Sequence, residues 1–209
     1  MPYSDKQVQI METAEVLFAE KGFNGTSIRD IAERANVNLA MISYYFGSKD
    51  KLLESLFSFR GESIKLKMES MLGDRELGSL EKMNLLIDHY IDKVFSQQCF
   101  SRIMAREQVM NHTGAIARLI FDMKKRNQEL ITKFIQEGQK KGEFRKHIDV
   151  PLMMATLIGT ASNMITTQHY YREINNLQSM SDEEFKKHIR KKLSQHLKRI
   201  FKAILTNEE

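Results

Sequence analysis

Apolar side chains recur at three- and four-residue spacing along nearly the whole chain, and alternation with period two is scarce, so the pattern predicts helices throughout. Val8, Met11, Ala14, Leu17 and Phe18 form one stripe of a first helix over residues 4–21, stopped at Gly22. Ile28, Ile31, Ala32 and Ala35 form the apolar face of a short second helix. Thr26 or Ser27 can cap it, and Asp30, three places after Ser27, completes a capping box. Asn36-Val37-Asn38 then interrupts the pattern. Asn36 tolerates the left-handed conformation that ends a helix, and Asn38 suits the N-cap of the next. In that third helix Ile42 and Phe46 point inward, while Leu39, Ala40, Ser43 and Tyr44, spaced i, i+1, i+4 and i+5, share the opposite face. No core needs that face. Two short helices joined by a tight turn, the second with a free outward surface, predict a helix-turn-helix, whose second helix lies in the major groove of DNA.

Ser48 opens a long helix expected to 72, carrying Leu52, Leu53, Leu56, Phe57, Ile64 and Met68. Its first turn belongs to the head and the rest to the body, so it reads as the only segment shared by both. After a loop bracketed by Gly73 and Gly78, Ser79 starts a helix with Met83, Leu86, Ile87 and Tyr90. Another is expected over 100–110, ended by Asn111 and Gly114, and a long one over 115–141, ended by Gly142 after a basic last turn. Asp149 and Pro151 suit the start of a helix that reads through to Tyr171. Ser181, with Glu184 at the capping-box position, starts the last. The fold expected is all-α with about nine helices: a three-helix head over residues 1–50 and a larger helical body over 51–209.

Composition narrows the function classes. No apolar run approaches the ~20 residues needed to span a bilayer, the first residues lack a signal peptide's apolar core, and the single cysteine, Cys99, excludes an internal disulfide framework. A cytoplasmic protein without membrane attachment is expected. The net charge of +5 permits nucleic-acid binding, but its distribution points the wrong way. Up to residue 51 the cations Lys6, Lys21, Arg29, Arg34, Lys49 and Lys51 are balanced by Asp5, Glu12, Glu15, Glu20, Asp30, Glu33 and Asp50. The basic run lies over 186–202, which has eight Lys or Arg and no acid. It reads as a solvated face, with a membrane-surface helix as the rival. Phosphate contacts need locally placed donors, and hydroxyls and helix N-termini supply them too, so the motif outweighs the count. No catalytic constellation appears. His89, His112, His147, His169, His188 and His196 show no metal-ligand spacing with an acid, and there is no phosphate-binding glycine loop. Neither an enzyme, a metal nor a cofactor is expected.

Residues 8–52, with the elements VQIMETAEVLFAEKGF, NGTSIRDIAERANV, a short helix ending YYF, and GSKDKL, closely resemble the DNA-binding domain of TetR/AcrR transcriptional regulators. Weaker family features, the Gly-Glu-Phe and Asp-Val-Pro stretches among them, continue into the body. The resemblance implies a homodimer on a near-palindromic duplex operator. Carried over by position, Arg29, Asn38, Leu39, Ala40, Met41 and Ser43 stand where relatives touch bases, and Thr26, Ser27, Tyr44, Tyr45 and Lys49 where they touch phosphates. Relatives often carry Gly at Asn36, a small residue and Thr at Ala40-Met41, and Tyr at Ser43. The more apolar surface here suits thymine methyl groups.

The helix from Pro151 onward and the last helix read either as ordinary core or as a dimer interface, with Met154, Gly159, Ala161 and Ser162 offering small or pliable contacts. Thirteen methionines make adaptable packing or pocket walls. An effector pocket for an apolar or amphipathic small molecule is expected from Met83, Tyr90, Phe100, Met104, Phe121, Met123, Met164 and His169, with Met110 and Met153 on the same stripes. Arg106 and Glu107 read either as a ligand-carboxylate site or as an interhelix pair. The function expected is a ligand-released transcriptional repressor. The alternative is a dimeric DNA-binding scaffold controlled by a protein partner.

Overall fold

The computed structural model describes residues 3–110 and 114–206, and among these the chain forms ten helices and no strand. They are α1 (Asp5–Lys21), α2 (Ile28–Arg34), α3 (Leu39–Phe46), α4 (Lys49–Leu72), α5 (Ser79–Ser96), α6 (Gln98–Met110), α7 (Ala115–Lys140), α8 (Val150–Thr166), α9 (Gln168–Ile174) and α10 (Asp182–Leu205). The expected stop at Asn111, His112 and the side chain of Met110 lie outside the described residues. The all-α expectation holds, with α9 as an added helix. The stretch from Val150 to Tyr171, expected to be continuous, breaks at Thr167, whose φ is −109° and ψ 18°. The hydroxyls of Thr166 and Thr167 both donate to the carbonyl of Asn163, at 3.0 and 2.7 Å, competing for an acceptor that the helix ladder would use alone.

Local chemistry fixes the helix ends. Capping boxes form at Ser4/Gln7, Ser27/Asp30 and Ser181/Glu184, and Asp149 caps α8 by accepting from the amide of Leu152. Asn36 takes φ 49° past the end of α2. The Asn36 amide then donates to Glu33 O at 3.1 Å and that of Val37 to Ala32 O at 3.0 Å, the two bonds of a Schellman motif.

The chain folds as two compact units, one of residues 1–66 with 97–125 and the other of 67–96 with 126–209. It passes between them within α7 as well as within α4, so α4 is not the only shared segment. In the first unit α1 is the central helix, with Ile10, Met11 and Ala14 fully buried and Leu17 and Phe18 nearly so. Both α2 and α6 lie against it. The compact unit that holds the expected head thus takes in α6, with Phe100 packed on Phe57 at 5.2 Å and Ile103 and Ile120 in the same core. Arg60 of α4 donates to Glu15 of α1 at 2.8 Å, giving that buried carboxylate its partner.

In the second unit α10 turns Phe185, Ile189, Leu193, Leu197, Phe201 and Leu205 inward and packs on α5 and α8. Two of the eight cations of 186–202 are paired with α5: Arg190 with Asp92 on the surface, and the half-buried Lys198 with Asp88, which also accepts from Ser194 at 2.6 Å. Lys186, Lys187, Lys191 and Lys192 remain exposed. The α7–α8 loop ties three helix ends. The Glu143 carboxylate accepts from the amide of Ser79 at the start of α5 (3.0 Å), the amide of Arg145 donates to Leu205 O at the end of α10 (2.8 Å), and the Phe144 ring packs on Gly138 of α7.

A β-carbon at Gly138 would overlap the ring of Phe144, with Cε2 only 2.7 Å away. Gly138→Ala should therefore destabilise the protein by about 1–3 kcal/mol, outweighing the ~1 kcal/mol that alanine gains within a helix. Urea unfolding measures the sign. The hydroxyl and amide of Ser79 hold the Glu143 carboxyl below its ordinary 4.5. A depressed carboxyl contributes stability above its unfolded value, and that stability is lost as pH falls through its folded value. Glu143→Gln should thus lower the melting temperature at pH 7, and the gap from wild type should close as pH drops below 4.5.

Candidate nucleic-acid interface

The surface offered to a ligand by the helix-turn-helix is set at the exit of α1. Gly22 takes φ 78°, a conformation that L side chains rarely adopt. The hydroxyl of Thr26, a residue only 1% exposed, donates back to Gly22 O at 2.8 Å and Leu17 O at 3.2 Å. Ser27 follows at once as the N-cap of α2. The Gln9 amide donates to Ala35 O at 3.0 Å, binding the far end of α2 to α1. The Asn38 side chain then accepts from the amide of Ala40 at 2.9 Å and starts α3.

On α3 the division of faces is the one the spacing predicts. Ile42 and Phe46 are buried, and Asn38, Leu39, Ala40, Ser43 and Tyr44 are exposed, Leu39 at 41% and Tyr44 at 85%. Met41 and Tyr45 are half-buried at the edge, Tyr45 packing against the core of the unit. An apolar leucine and a tyrosine are left largely uncovered on an eight-residue helix, the Tyr44 ring meeting the Tyr45 ring edge-on at 5.3 Å and neither residue lying in the core.

Several expected phosphate ligands are otherwise engaged. The Thr26 side chain is buried and bonded internally, so its hydroxyl does not reach a phosphate, a correction to its expected role. Ser27 remains exposed, with its hydroxyl in the capping box and bonded to Asp30 at 2.7 Å. Lys49 turns inward, its Nζ donating to Phe23 O and Thr26 O at 2.8 and 2.9 Å. Other charges pair on the surface: in the head Arg34 with Glu20 at 2.7 Å and Lys21 with Asp30 at 3.7 Å, and just beyond it Lys51 with Glu54 at 2.7 Å. Hydrogen bonds from Ser27 depress the Asp30 carboxyl, and the Arg34 guanidinium depresses that of Glu20. Arg29 is exposed and has no hydrogen-bond or ion-pair partner among the described residues. Arg106, which the sequence leaves between a ligand-carboxylate site and an interhelix pair, reaches the same turn from α6: its guanidinium donates to Phe18 O at 3.4 Å and stands where a β-carbon of Gly22 would be.

The expected effector residues divide between the two units. In the first, Phe100 and Met123 are buried and Met104 packs on the core, but Phe121 is 65% exposed. In the second, Met83 is buried, Met164 and Tyr90 are half-buried, and His169 is exposed. Burial raises the Tyr90 phenol above its ordinary value, partly offset by a hydrogen bond with Ser162. None of the eight borders a cleft of about 530 Å³ in the first unit, lined by residues 21–25 with Asp50, Leu53, Arg106 and Ile116 among others.

Substituting the free cation and the free hydroxyl tests the surface. Arg29→Ala should weaken duplex binding by about 1–3 kcal/mol and relax discrimination at one base position. Tyr44→Phe should weaken binding to all duplexes alike. Fluorescence anisotropy on duplexes that differ at single base pairs measures both, and unchanged discrimination by Arg29→Ala would remove it from the base-reading surface.

Residues 10–56 match the bacterial regulatory proteins, tetR family, and residues 80–196 the tetracyclin repressor-like, C-terminal domain. The chain is 31% identical over 145 residues to the probable HTH-type transcriptional regulator YttP of Bacillus subtilis, covering 69% of this chain and 68% of that one. It is 33% identical over 159 residues to the HTH-type transcriptional repressor NicS of Pseudomonas putida, covering 71% of each. Its fold is similar to that of the transcriptional regulator FadR from Bacillus subtilis in complex with stearoyl-CoA, with a TM-score of 0.68 and 21% identity over 91% of this chain and 96% of that one. A helix-turn-helix with an uncovered third helix and two family matches spanning head and body lead to one conclusion: the chain belongs to the tetR family of bacterial regulatory proteins, as a DNA-binding transcriptional regulator.

Proposed function

We propose that this regulator is a cytoplasmic homodimeric repressor that holds a near-palindromic operator through the head at residues 1–50. A small apolar or amphipathic effector bound in the body at 51–209 releases it. The observation that carries the reading is the exposed face of α3, which has the composition and spacing of a base-reading surface and no place in the core. Leu39 and Ala40 suit thymine methyl groups, and Asn38 and Ser43 supply polar contacts to base edges. Head neutrality is compatible with this, because position is set by a few local donors and not by net charge.

The dimer reading is supported by α8. Met153, Leu157 and Ala161 point into the second unit, so Ala161 is core and not interface as expected. The opposite face carries Leu152, Ala155, Ile158, Gly159 and Ser162, all exposed, with Leu152 at 66% and Ile158 at 39%. That is a smooth apolar strip with a glycine at its centre, which allows close approach of a second copy in a two-fold arrangement. The effector reading draws support from relatives: a fatty acid metabolism regulator is 24% identical over 162 residues, and the similar FadR structure holds stearoyl-CoA. Release follows by population shift. The effector favours a separation of the two recognition helices that no longer fits successive major grooves, about 34–36 Å apart. Linkage then requires effector and DNA to weaken each other by the same factor.

The test is a titration of the duplex-bound protein with long-chain acyl thioesters, free fatty acids and sterols. Release by one of these classes, with reciprocal weakening, is expected. Release only by a cellular protein would replace this reading with a scaffold controlled by a protein partner. For the dimer, a β-carbon at Gly159 meets nothing within 4 Å in a single chain. Gly159→Leu should therefore leave the monomer folded and shift sedimentation from dimer to monomer, by overpacking worth about 1–3 kcal/mol at the contact. An unperturbed dimer would place the interface elsewhere.

A further inference from the structure

Lys49 stands at the first position of α4, where family resemblance puts a phosphate contact, yet its side chain is directed into the protein. Its ammonium donates to the carbonyls of Phe23 (2.8 Å) and Thr26 (2.9 Å) and lies 4.3 Å from the centroid of the Phe23 ring. An ammonium has three donors and no acceptor. Two are filled, and the aromatic face takes part of the remaining charge. The two carbonyls are three residues apart and converge on one nitrogen only while the 22–26 turn stays curled. That turn is held from below by the buried Thr26 hydroxyl on Leu17 O and Gly22 O, and it leads directly to Ser27, the N-cap of α2. Since α2 packs on α3, the turn sets where the recognition helix stands.

We propose that Lys49 is a positioning residue: it clamps the α1–α2 turn against the first turn of α4 and thereby aligns α3, and it contributes no phosphate contact of its own. The proposal rests on the DNA-binding reading above. The two roles differ in what they do to sequence discrimination. A lost phosphate contact weakens binding to every duplex alike and lowers the salt slope by about one per monomer. A misplaced α3 keeps the phosphate attraction and loses base contacts, so discrimination falls and the slope stays.

The experiment uses the full chain, a duplex selected by the wild-type protein from a randomised pool, and an unrelated duplex of equal length. Lys49→Met removes the ammonium and keeps the stem. Lys49→Arg keeps the charge and would serve a phosphate well, but its wider planar fork does not fit between two carbonyls and a ring. Both variants should lose roughly tenfold in the ratio of selected to unrelated binding, the size of one lost base contact, with the salt slope of the unrelated duplex within about half a unit of wild type. A slope lowered by one per monomer in Lys49→Met, together with wild-type behaviour of Lys49→Arg, would overturn the proposal. Amide hydrogen exchange without DNA gives an independent reading: exchange at residues 26–28 should quicken at least about fivefold in both variants relative to the amides of α10. Unchanged exchange there would overturn the clamp whatever the DNA data show. A wild-type protein that selects no duplex, with exchange quickened in the variants, would instead count against the DNA-binding reading and leave the clamp in place.

Discussion

The carbonyl groups at the end of α1 are the constraint on which the DNA-binding unit depends. A helix leaves its last carbonyls without intrahelical partners, and burial makes each of them costly unless something donates to it. Here the donors come from several elements: the amide of Gly22 and the guanidinium of Arg106 serve Phe18, and the hydroxyl of Thr26 serves Gly22 and reaches back to Leu17. The ammonium of Lys49 serves the turn that follows. Satisfying these acceptors fixes the turn, the turn fixes the N-cap of α2, and α2 carries α3. The free face of α3 is thus the last term of a hydrogen-bond argument that begins one helix earlier.

The same site shows how signals from elsewhere could reach the head. Arg106 belongs to α6, which lies along α1 inside the first compact unit, and the chain leaves that unit within both α4 and α7. Under the proposed effector reading, the link to DNA therefore has α7 as well as α4 as a covalent route. A shift of α6 changes the group that donates to Phe18 O and stands over Gly22, both at the root of the turn.

What the sequence could reveal was set by how local each feature is. The capping box at Ser27/Asp30, the left-handed Asn36, the N-cap at Asn38 and the two faces of α3 all rest on neighbours within five residues, and each is found where the spacing puts it. The direction of a long side chain is not local. Nothing near Lys49 reveals that its amine returns to carbonyls 23 and 26 residues upstream, nor that Thr26 is sealed beneath the same turn. In α8 nearly every residue is apolar or small, so periodicity could not choose the inward face. Ala161 was expected at an interface and is buried in the unit, and Ala155 faces outward. The break at Thr167 came from two hydroxyls competing for one carbonyl, a contest that helix propensity alone does not register. Residue type and spacing do not reveal which side chains a pocket would enclose: Phe121 and His169 fit a pocket wall by type and are exposed.

The central claim is that this chain reads duplex DNA with the outward face of α3. Its most direct test is selection from a randomised duplex pool by the wild-type protein and by a variant carrying Ala40→Arg and Ser43→Arg. The account predicts that the wild type enriches an inverted repeat with half-sites about one helical turn, or a multiple of it, apart. It also predicts that the variant enriches a repeat of the same spacing with guanine at altered positions, since arginine pairs with the guanine edge. The same enriched sequence from both proteins, or enrichment from neither, would contradict it.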